Sequence, residues 1–430
     1  MGATVQNINE ALFQFIKDGP TSFHTVDAIS QRLEKEGFTK LNEEDHWELE
    51  AGGRYYVTRN SSSIIGFSIC EKYRNATNGF RVVASHSDSP CFKIKPKGEL
   101  SDSSYIRLNT EGYGGMICYS WLDRPLSVAG RVIIKDSKEG LIERLVNIDR
   151  ELLVIPSLAV HMNRKVNSGM EFNLQKDMIP LLADKGDGYS ELDSIIADAL
   201  GVAKENIYGE DLFLYNRSEG TVWGANNEYI SAPMIDDLQC AYASLQGFLE
   251  NNDTKTISVY ACFDNEEVGS TTLQGAASSF LQDTLERIAD SLGLTAEDYH
   301  RMLANSWMLS EDNGHAVHPN HPEKTDADNH VYMNGGIVIK SHAGQKYTTN
   351  ALGVALCRDI CEKLDIPYQF FANRSDEAGG STLGNIASSR VPIKTVDIGL
   401  AQLAMHSSYE TAGAKDTEYM IKFNKGFFEY

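Results

Sequence analysis

The side chains best suited to chemistry stand where predicted strands end. His86 and Asp88 directly follow the strand-like run RVVAS. A neutral imidazole is a good zinc ligand, and an acid two residues further on could orient its other ring nitrogen. The alternative is a turn with a surface histidine and a capping aspartate. The HxD spacing alone leaves both interpretations open.

A second candidate follows the strand-like run TISVYACF, which leads into DNEEVG at residues 264–269. Three carboxylates crowded at a strand end repel one another unless cations or protons compensate them. Adjacent Glu266 and Glu267 suit a division of labour, in which one binds a metal and its neighbour takes a proton from water. A solvated acidic loop is the alternative in a chain this acidic.

Two further candidates are weaker when taken alone. Asp236 and Asp237 begin a predicted helix, where N-capping and the helix dipole favour acids in any case. His406 follows the strand-like run IKTVDIGL and has apolar neighbours, so it could equally be a hydrogen-bonded core histidine.

A fifth candidate combines Asp312 with the HxxHxxH spacing of His315, His318 and His321. Two prolines interrupt this segment, so no helix places the three rings on one face. Asp312 is therefore the stronger metal-ligand candidate, and the histidines could make local hydrogen bonds instead.

Together these places supply imidazole nitrogens, aspartates and a glutamate pair. A two-metal hydrolase needs such a set: nitrogen and oxygen ligands, one carboxylate bridging ions ~3.5–4 Å apart, and a separate general base. The competing signatures GxxxxGK[ST], HExxH and GxSxG do not occur in the sequence.

The hydrophobic pattern predicts the elements that position these side chains. Two amphipathic helices come first, and strand-like runs follow at residues 54–70 and 80–85. From about residue 91 to 223, short β-like runs alternate with Gly-rich turns. From residue 233 onward, helices and strands alternate, which predicts an α/β sheet with helices on both faces. The simplest organisation is an α/β domain made of both ends of the chain and interrupted by a β-rich insertion.

Length and charge restrict the function further. A chain of 430 residues exceeds one compact core, so two domains are expected. Its 60 acidic and 39 basic residues give a net charge of −21, which disfavours binding to nucleic acid or to an anionic membrane surface. No apolar run approaches the ~20 residues that span a bilayer. The seven cysteines form no CxxC pair, which predicts reduced thiols and a cytoplasmic protein.

Four strings, in this order, resemble the M18 family of metallo-aminopeptidases, the aspartyl aminopeptidase group. They are SHSDSP (85–90), DNEEVGS (264–270), HAVHPN (315–320) and QLAMHS (402–407). The resemblance covers almost the whole chain.

The resemblance implies a role for each matching residue. His86 and Asp312 would bind one metal, Glu267 and His406 the second, and Asp236 would bridge both. Glu266 would be the general base that activates the bridging water, and Asp88 would orient His86. The implied cofactors are two divalent ions, zinc in most of the family, although mixed nitrogen and oxygen sites also accept manganese or cobalt.

The resemblance also implies an architecture. A three-layer α/β peptidase domain with a central mixed sheet would comprise residues 1–91 and 230–430, and an inserted β-rich dimerisation domain would comprise residues 92–229. The dimers would assemble into a dodecamer that encloses the active sites. His161 matches a family histidine that reaches into the neighbouring subunit's active site.

Two departures from the family pattern concern specificity. Aspartyl aminopeptidases carry a Cys-Gly turn where this chain has DEAGG at residues 376–380. The segment from Lys340 to Tyr347 keeps the family's Lys, Gln and Tyr but changes the residues between them. Lys340 is a candidate for the substrate pocket, and preference for an acidic N-terminal residue is left open.

The predicted function is therefore a cytoplasmic two-metal aminopeptidase that removes N-terminal residues from peptides. Two alternatives are a two-metal hydrolase of another bond, such as a phosphoester, and a non-catalytic assembly protein that retains the metal ligands.

Overall fold

The computed structural model describes residues 3–71, 78–102, 104–186, 189, 191–252 and 255–430. The chain divides into two compact units. The first unit comprises Met1–Asp88, Gly220–Met405 and Glu410–Tyr430, and the second comprises Ser89–Glu219 and His406–Tyr409.

The α-helices in chain order are α1 Ala3–Asp18, α2 Ser22–Lys35, α3 Leu192–Leu200, α4 Ile235–Glu250, α5 Phe280–Ser291, α6 Ala296–Asn305, α7 Ala351–Leu364, α8 Leu383–Ala387 and α9 Asp416–Glu429. The strands in chain order are β1 Thr39–Leu41, β2 Arg54–Arg59, β3 Ser63–Ile69, β4 Phe80–His86, β5 Cys91–Ser101, β6 Tyr105–Tyr113, β7 Leu126–Asp136, β8 Gly140–Asn147, β9 Leu181–Asp184, β10 Ile207–Asn216, β11 Thr221–Trp223, β12 Tyr229–Ala232, β13 Ile257–Phe263, β14 Trp307–Glu311, β15 Gly314–His315, β16 Ile337–Ser341, β17 Tyr368–Ala372, β18 Lys394–Gly399, β19 Ala401–Leu403 and β20 Glu410–Gly413.

The first unit is built on a nine-stranded mixed sheet of order β1-β2-β3-β13-β4-β14-β18-β16-β17. The central strands β13, β4, β14 and β18 pair in parallel. Every residue of β13 is buried, as expected for a strand covered on both faces. Tyr260 and Cys262 join one core, and the alternating Val259 and Ala261 join another.

Helices cover both faces of this sheet. The core on one face contains side chains of α1, α2, α4, α7 and α9, and the core on the other contains side chains of α5, α6 and α8. The result is the three-layer α/β arrangement that the alternation of helices and strands predicts. A five-stranded sheet of order β11-β12-β20-β19-β15, which the hydrophobic pattern did not reveal, completes this unit.

The second unit is a six-stranded antiparallel sheet of order β8-β7-β10-β5-β6-β9. Its own core includes Phe92 of β5, Leu212 of β10, Ile196 of α3 and Trp121 from the connection between β6 and β7. In the described part of the chain, no helix combines the length and the apolar character needed to cross a membrane.

Some element limits differ from the sequence-based expectation. The run 54–70 is two strands, because Asn60 and Ser61 adopt positive φ values of 54° and 53° and form the turn of a hairpin. After β13, the alternation of helices and strands resumes with α5, which begins at Phe280. Gly275 packs so closely on Ser270 that a Cβ atom would lie 2.2 Å from the Ser270 carbonyl oxygen, which keeps the segment in a compact turn.

Candidate metal centre

The candidate site lies where adjacent parallel strands of the nine-stranded sheet end. β4 and β13 pair in register so that His86 lies beside Phe263, and the 264–270 turn follows directly. β14 pairs with the other side of β4 and ends at Glu311. Because parallel strands bring their carboxyl ends to one edge, His86, the glutamate pair and Asp312 meet there.

His86 is held in one orientation. Its side chain is 1% exposed, and Nδ1 lies 3.0 Å from the carbonyl oxygen of Asp88. A carbonyl can only accept, so Nδ1 carries a hydrogen, and in the neutral ring Nε2 is the nitrogen that can bind a metal. Nε2 lies 3.6 Å from Oδ1 of Asp236. This geometry directs the free nitrogen of His86 toward a shared ligand position.

Two neighbouring aspartates begin α4 beneath this ring. Asp236 is buried, and its backbone N–H donates to Oε2 of Glu410 at 2.9 Å. Asp237 is fully buried, and its Oδ2 accepts from the backbone N–H of His86 at 3.2 Å. The peptide bond that joins Asp236 to Asp237 is cis.

Asp312 follows β14 and lies beside a buried cation. Nζ of Lys340 is 3.7 Å from Oδ2 of Asp312 and donates to the carbonyl oxygen of Asn313 at 2.8 Å. Lys340 is 2% exposed. In this arrangement its ammonium group compensates the Asp312 carboxylate and does not face solvent.

Asp88 anchors the glutamate pair. Its Oδ1 accepts from the N–H of Glu266 and its Oδ2 from the N–H of Glu267, both at 3.1 Å. Asp88 therefore serves two parts of the site, since its carbonyl oxygen bonds His86 while its carboxylate fixes the turn. The sequence-based expectation assigned it to His86 alone.

Two groups of side chains in the first unit could each hold a metal ion. One consists of His86, Asp236, Asp237 and Asp312, and the other of His86, Glu266 and Glu267. Within each group the candidate ligand atoms lie within 4.8 Å of one another.

Burial and mutual repulsion perturb the ionisation of these side chains. Burial raises the pKa of Glu266 to about 8, with Asp312 and Asp88 adding to the rise and His86 opposing it. Burial also raises the pKa of Asp237 and Asp312. Burial would lower the pKa of His86, but nearby carboxylates, Asp237 first, raise it well above its ordinary value. The cluster carries an excess of buried negative charge over its cations.

This donor set fits divalent metal ions. Imidazole nitrogen and carboxylate oxygen are ligands that Zn²⁺, Mn²⁺ and Co²⁺ accept. Buried carboxylates are costly when they repel one another, and a dication removes that cost while displacing protons from the ligands. Because Nδ1 of His86 bonds the Asp88 carbonyl, Nε2 is the nitrogen that would lose its proton and bind an ion shared with these carboxylates.

Comparison with known proteins shows the family to which this chain belongs. The family model described as "Aminopeptidase I zinc metalloprotease (M18)" matches residues 15–428. The chain belongs to the M18 family. It is therefore an aminopeptidase by family, that is, a peptide hydrolase that acts at chain ends.

Individual M18 relatives match along nearly the whole length. A protein named "Probable M18 family aminopeptidase 2" from Clostridium acetobutylicum is 46% identical over 422 residues, which cover 97% of each chain. A chain in the cryo-EM structure of the Ape4 and Nbr1 complex is 34% identical, with a TM-score of 0.96, and the match covers 99% of this chain and 86% of that one. The mApe1 dodecamer of S. cerevisiae is 28% identical, with a TM-score of 0.85 and coverage of 99% and 97%.

Two predicted site residues of this M18 protein lie in the second unit. His406 opens the His406–Tyr409 segment, and its Nδ1 lies 3.0 Å from the carbonyl oxygen of Gly115. As at His86, this bond places the hydrogen on Nδ1 and presents the lone pair on Nε2. His161 is exposed in the turn after residue 160.

Among the described residues, His318 of the motif HAVHPN and the nearby His321 join no group of candidate metal ligands. The rings of His318 and His321 are 5.2 Å apart and exposed. Nδ1 of His321 lies 3.2 Å from a carboxylate oxygen of Glu323. These local contacts correspond to the alternative that the two prolines favoured.

Sequence reasoning singled out Asp237 beside Asp236 but gave it no role, and it missed Glu410. Asp237 contributes to the first ligand group. Glu410 binds the backbone of Asp236 from 174 residues away, and no motif marks it.

Proposed function

We propose that this chain is a two-metal aminopeptidase in which Glu266 is the general base. The observation that carries the proposal is the turn held by Asp88. The N–H groups of Glu266 and Glu267 donate to one buried carboxylate, and that residue's carbonyl also orients His86. A base and a ligand are thereby kept side by side against the imidazole.

The ligands divide between two ions. His86 and Asp312 would hold one ion, Glu267 and His406 would hold the other, and Asp236 would be shared between them. The clustering of candidate ligand atoms around His86 supports the first ion and the bridge. The motif QLAMHS and the hydrogen bond at Nδ1 support His406. Zinc is the expected metal from the family description.

Bound ions would polarise the scissile carbonyl and lower the pKa of water. The protein's own task is to move a proton. Glu266 takes it from the attacking water as the carbon–oxygen bond forms, and then delivers it to the amine nitrogen as the carbon–nitrogen bond of the peptide breaks. Burial and neighbouring carboxylates raise the pKa of Glu266, and bound divalent cations would oppose that rise and favour the carboxylate form that accepts the proton.

The proposal extends to assembly. The mApe1 of S. cerevisiae forms a dodecamer, and we propose the same state here, built from dimers, with His161 reaching a neighbouring active site. Light scattering should then give the mass of twelve 47.6 kDa chains. A monomer at working concentration would contradict it. Cytoplasmic localisation stays a prediction from the cysteine pattern.

The decisive test replaces Glu266 by Gln. Glu266→Gln should lower kcat by roughly 10²–10⁴-fold, the usual contribution of a positioned base, while elemental analysis still finds both ions. The matched control is Glu297→Gln, an exposed acid in the first turn of α6, which should keep full activity. A fully active Glu266→Gln enzyme would disprove the base assignment.

A further inference from the structure

A buried carboxylate in the nine-stranded sheet takes no part in the chemistry proposed above. Asp397 lies on β18 and is 0% exposed. Its register partner on β14 is Ser310, two residues before the proposed ligand Asp312. A carboxylate in such a position is costly unless donors surround it. The groups that donate to Asp397 therefore identify what it holds in place.

Two loops donate to this one carboxylate. The 342–350 loop joins β16 to α7, and its Thr348 donates both N–H and Oγ1–H to Oδ2 of Asp397, the hydroxyl at 2.7 Å. The 373–382 loop joins β17 to α8, and Oγ1 of its Thr382 donates to Oδ1. Thr349 adds a bond at the backbone, where its Oγ1 accepts from the N–H of Asp397 at 2.9 Å.

The two loops also bind each other above Asp397. Nζ of Lys346 donates to the carbonyl oxygen of Gly379. Packing over the carboxylate is tight, because a Cβ atom at Gly384 would lie 2.7 Å from Oδ1 of Asp397. Both loops are thus attached to the same buried residue of the sheet, Asp397.

The 342–350 loop lies directly against the candidate metal centre. Its Tyr347 is buried, and the ring centroid is 5.6 Å from Nζ of Lys340. The same Nζ is 3.7 Å from Oδ2 of Asp312. The imidazole of His342 packs edge-on against Tyr347 at 5.8 Å. Movement of this loop would therefore change the wall beside Asp312.

We propose that Asp397 is a positioning residue that fixes the 342–350 and 373–382 loops as two walls of the pocket for the substrate's N-terminal residue. The inference rests on the proposed aminopeptidase function. Its carboxylate hydrogen-bonds threonine donors and neither Glu266 nor a proposed ligand, although its charge also acts on Asp312 and Lys340. Loss of the threonine bonds is therefore expected to affect substrate binding and selectivity and to leave proton transfer intact. These loops carry the residues that depart from the aspartyl aminopeptidase pattern, so Asp397 would hold the specificity-determining part of the chain.

The test compares Asp397→Ala with Asp397→Asn in the zinc-loaded full-length enzyme, using aminoacyl substrates with Asp, Glu, Leu and Lys. Asp397→Ala should raise KM at least about tenfold, change kcat by less than about threefold, and alter the ratio of kcat/KM among substrates. Asp397→Asn should stay within about threefold of wild type, because its oxygen can accept from Thr348 while its NH₂ donates to Thr382 Oγ1. The matched control is Thr395→Val on the same strand, because Oγ1 of Thr395 donates to the Ile393 carbonyl and not to either loop.

A second measurement does not depend on activity. Hydrogen exchange in peptides from residues 342–350 and 373–382 should accelerate in Asp397→Ala and stay unchanged in Thr395→Val, with zinc content equal in all three proteins. If Asp397→Ala does not fold, Thr348→Val and Thr382→Val carry the test, and each should raise KM and loosen both loops.

Three results would overturn the proposal: an unchanged KM in these variants, a loss confined to kcat, or a loss of bound zinc. Failure of the aminopeptidase proposal looks different, because wild-type holoenzyme would then show no peptide turnover. The exchange measurement would still report whether Asp397 holds the loops.

Discussion

Asp88 shows how much of this centre depends on one side chain that binds no metal in the proposed scheme. Its backbone carbonyl sets the tautomer of His86, and its carboxylate accepts from the N–H groups of Glu266 and Glu267. A carboxylate can accept at both oxygens at once, whereas an amide offers one acceptor and one donor. The site therefore requires Asp at position 88, and Asn cannot replace it, although Asp88 is not a proposed metal ligand.

We predict that Asp88→Asn weakens the centre without unfolding the protein. The amide NH₂ would face one of the two backbone N–H groups and displace the glutamate turn. Zinc affinity and kcat should each fall by about 10- to 100-fold, as is typical when a group that orients ligands is changed. Competition with a chelator and steady-state assays measure the two effects.

The control for this change is Asp136→Asn in the second unit. Oδ1 of Asp136 also accepts from two successive backbone N–H groups, those of Lys138 and Glu139, in an exposed turn. One amide oxygen can replace it, so affinity and rate should stay at wild-type values. If Asp88→Asn behaves like this control, the role assigned to Asp88 is wrong.

At the scale of elements, close backbone approach at the strand ends decides where Asp312 lies. A Cβ atom on Gly399, at the end of β18, would lie 1.9 Å from the carbonyl oxygen of Asp312. No side chain fits there unless one of the two strand ends moves. Asp312, a proposed ligand, can therefore occupy its position only because residue 399 on the neighbouring strand is a glycine.

Gly399→Ala should therefore displace Asp312 and reduce zinc affinity by at least about tenfold, with stability lowered by roughly 1–3 kcal/mol from overpacking. Gly209→Ala on β10 is the matched control, because the nearest atom to its Cβ would be 3.7 Å away, an ordinary contact. Isothermal titration with zinc and thermal unfolding check both variants. Equal zinc affinity in the two would contradict the argument.

The start of α2 carries a pH-sensitive contribution to stability. His24 lies in its first turn, and burial lowers the pKa of His24 from 6.5 to about 4. Nδ1 lies 2.8 Å from Oγ1 of Thr21. Between pH 6.5 and 4 the unfolded chain binds a proton at His24 that the folded chain does not, so stability falls as pH decreases through this window.

His24→Asn should remove this dependence while an amide remains near Thr21. On acidification from pH 7.5 to 5, wild type should lose on the order of 1–2 kcal/mol more than the variant. Thermal unfolding of both proteins at each pH measures the difference, and other titrating groups cancel in the comparison. Parallel curves for the two proteins would refute the assignment.

At the scale of the whole molecule, part of the net charge of −21 comes from acids that gather at the candidate centre. The candidate centre gathers many carboxylates against one imidazole and one buried ammonium; these acids are Asp88, Asp236, Asp237, Glu266, Glu267 and Asp312. Divalent ions would neutralise part of this charge and link the strand ends to α4. Metal binding should therefore contribute to the stability of the fold.

Removal of metal by a chelator should lower the thermal midpoint, and added zinc should restore it. An ion at 100 times its Kd stabilises the folded state by about 2.7 kcal/mol. The control is the double variant Asp236→Asn/Asp312→Asn, whose midpoint should not respond to zinc. An unchanged midpoint in wild-type protein shown by elemental analysis to be metal-free would contradict this prediction.

The sequence by itself determined the fold class and singled out many of the side chains that gather at the candidate centre. Local pattern is sufficient where a candidate side chain follows an apolar strand, because parallel strand ends meet at one edge; His86, Glu266 and Glu267 are such cases.

The tertiary structure alone decided the contacts between segments distant along the chain. Glu410 reaches the backbone of Asp236, Lys340 lies beside Asp312, and Asp397 receives donors from two loops. Local periodicity reports which face a residue occupies and carries no information about its partner across the sheet. A buried charge is stable only with such partners, so the roles of these three residues appear when the strands are brought into register.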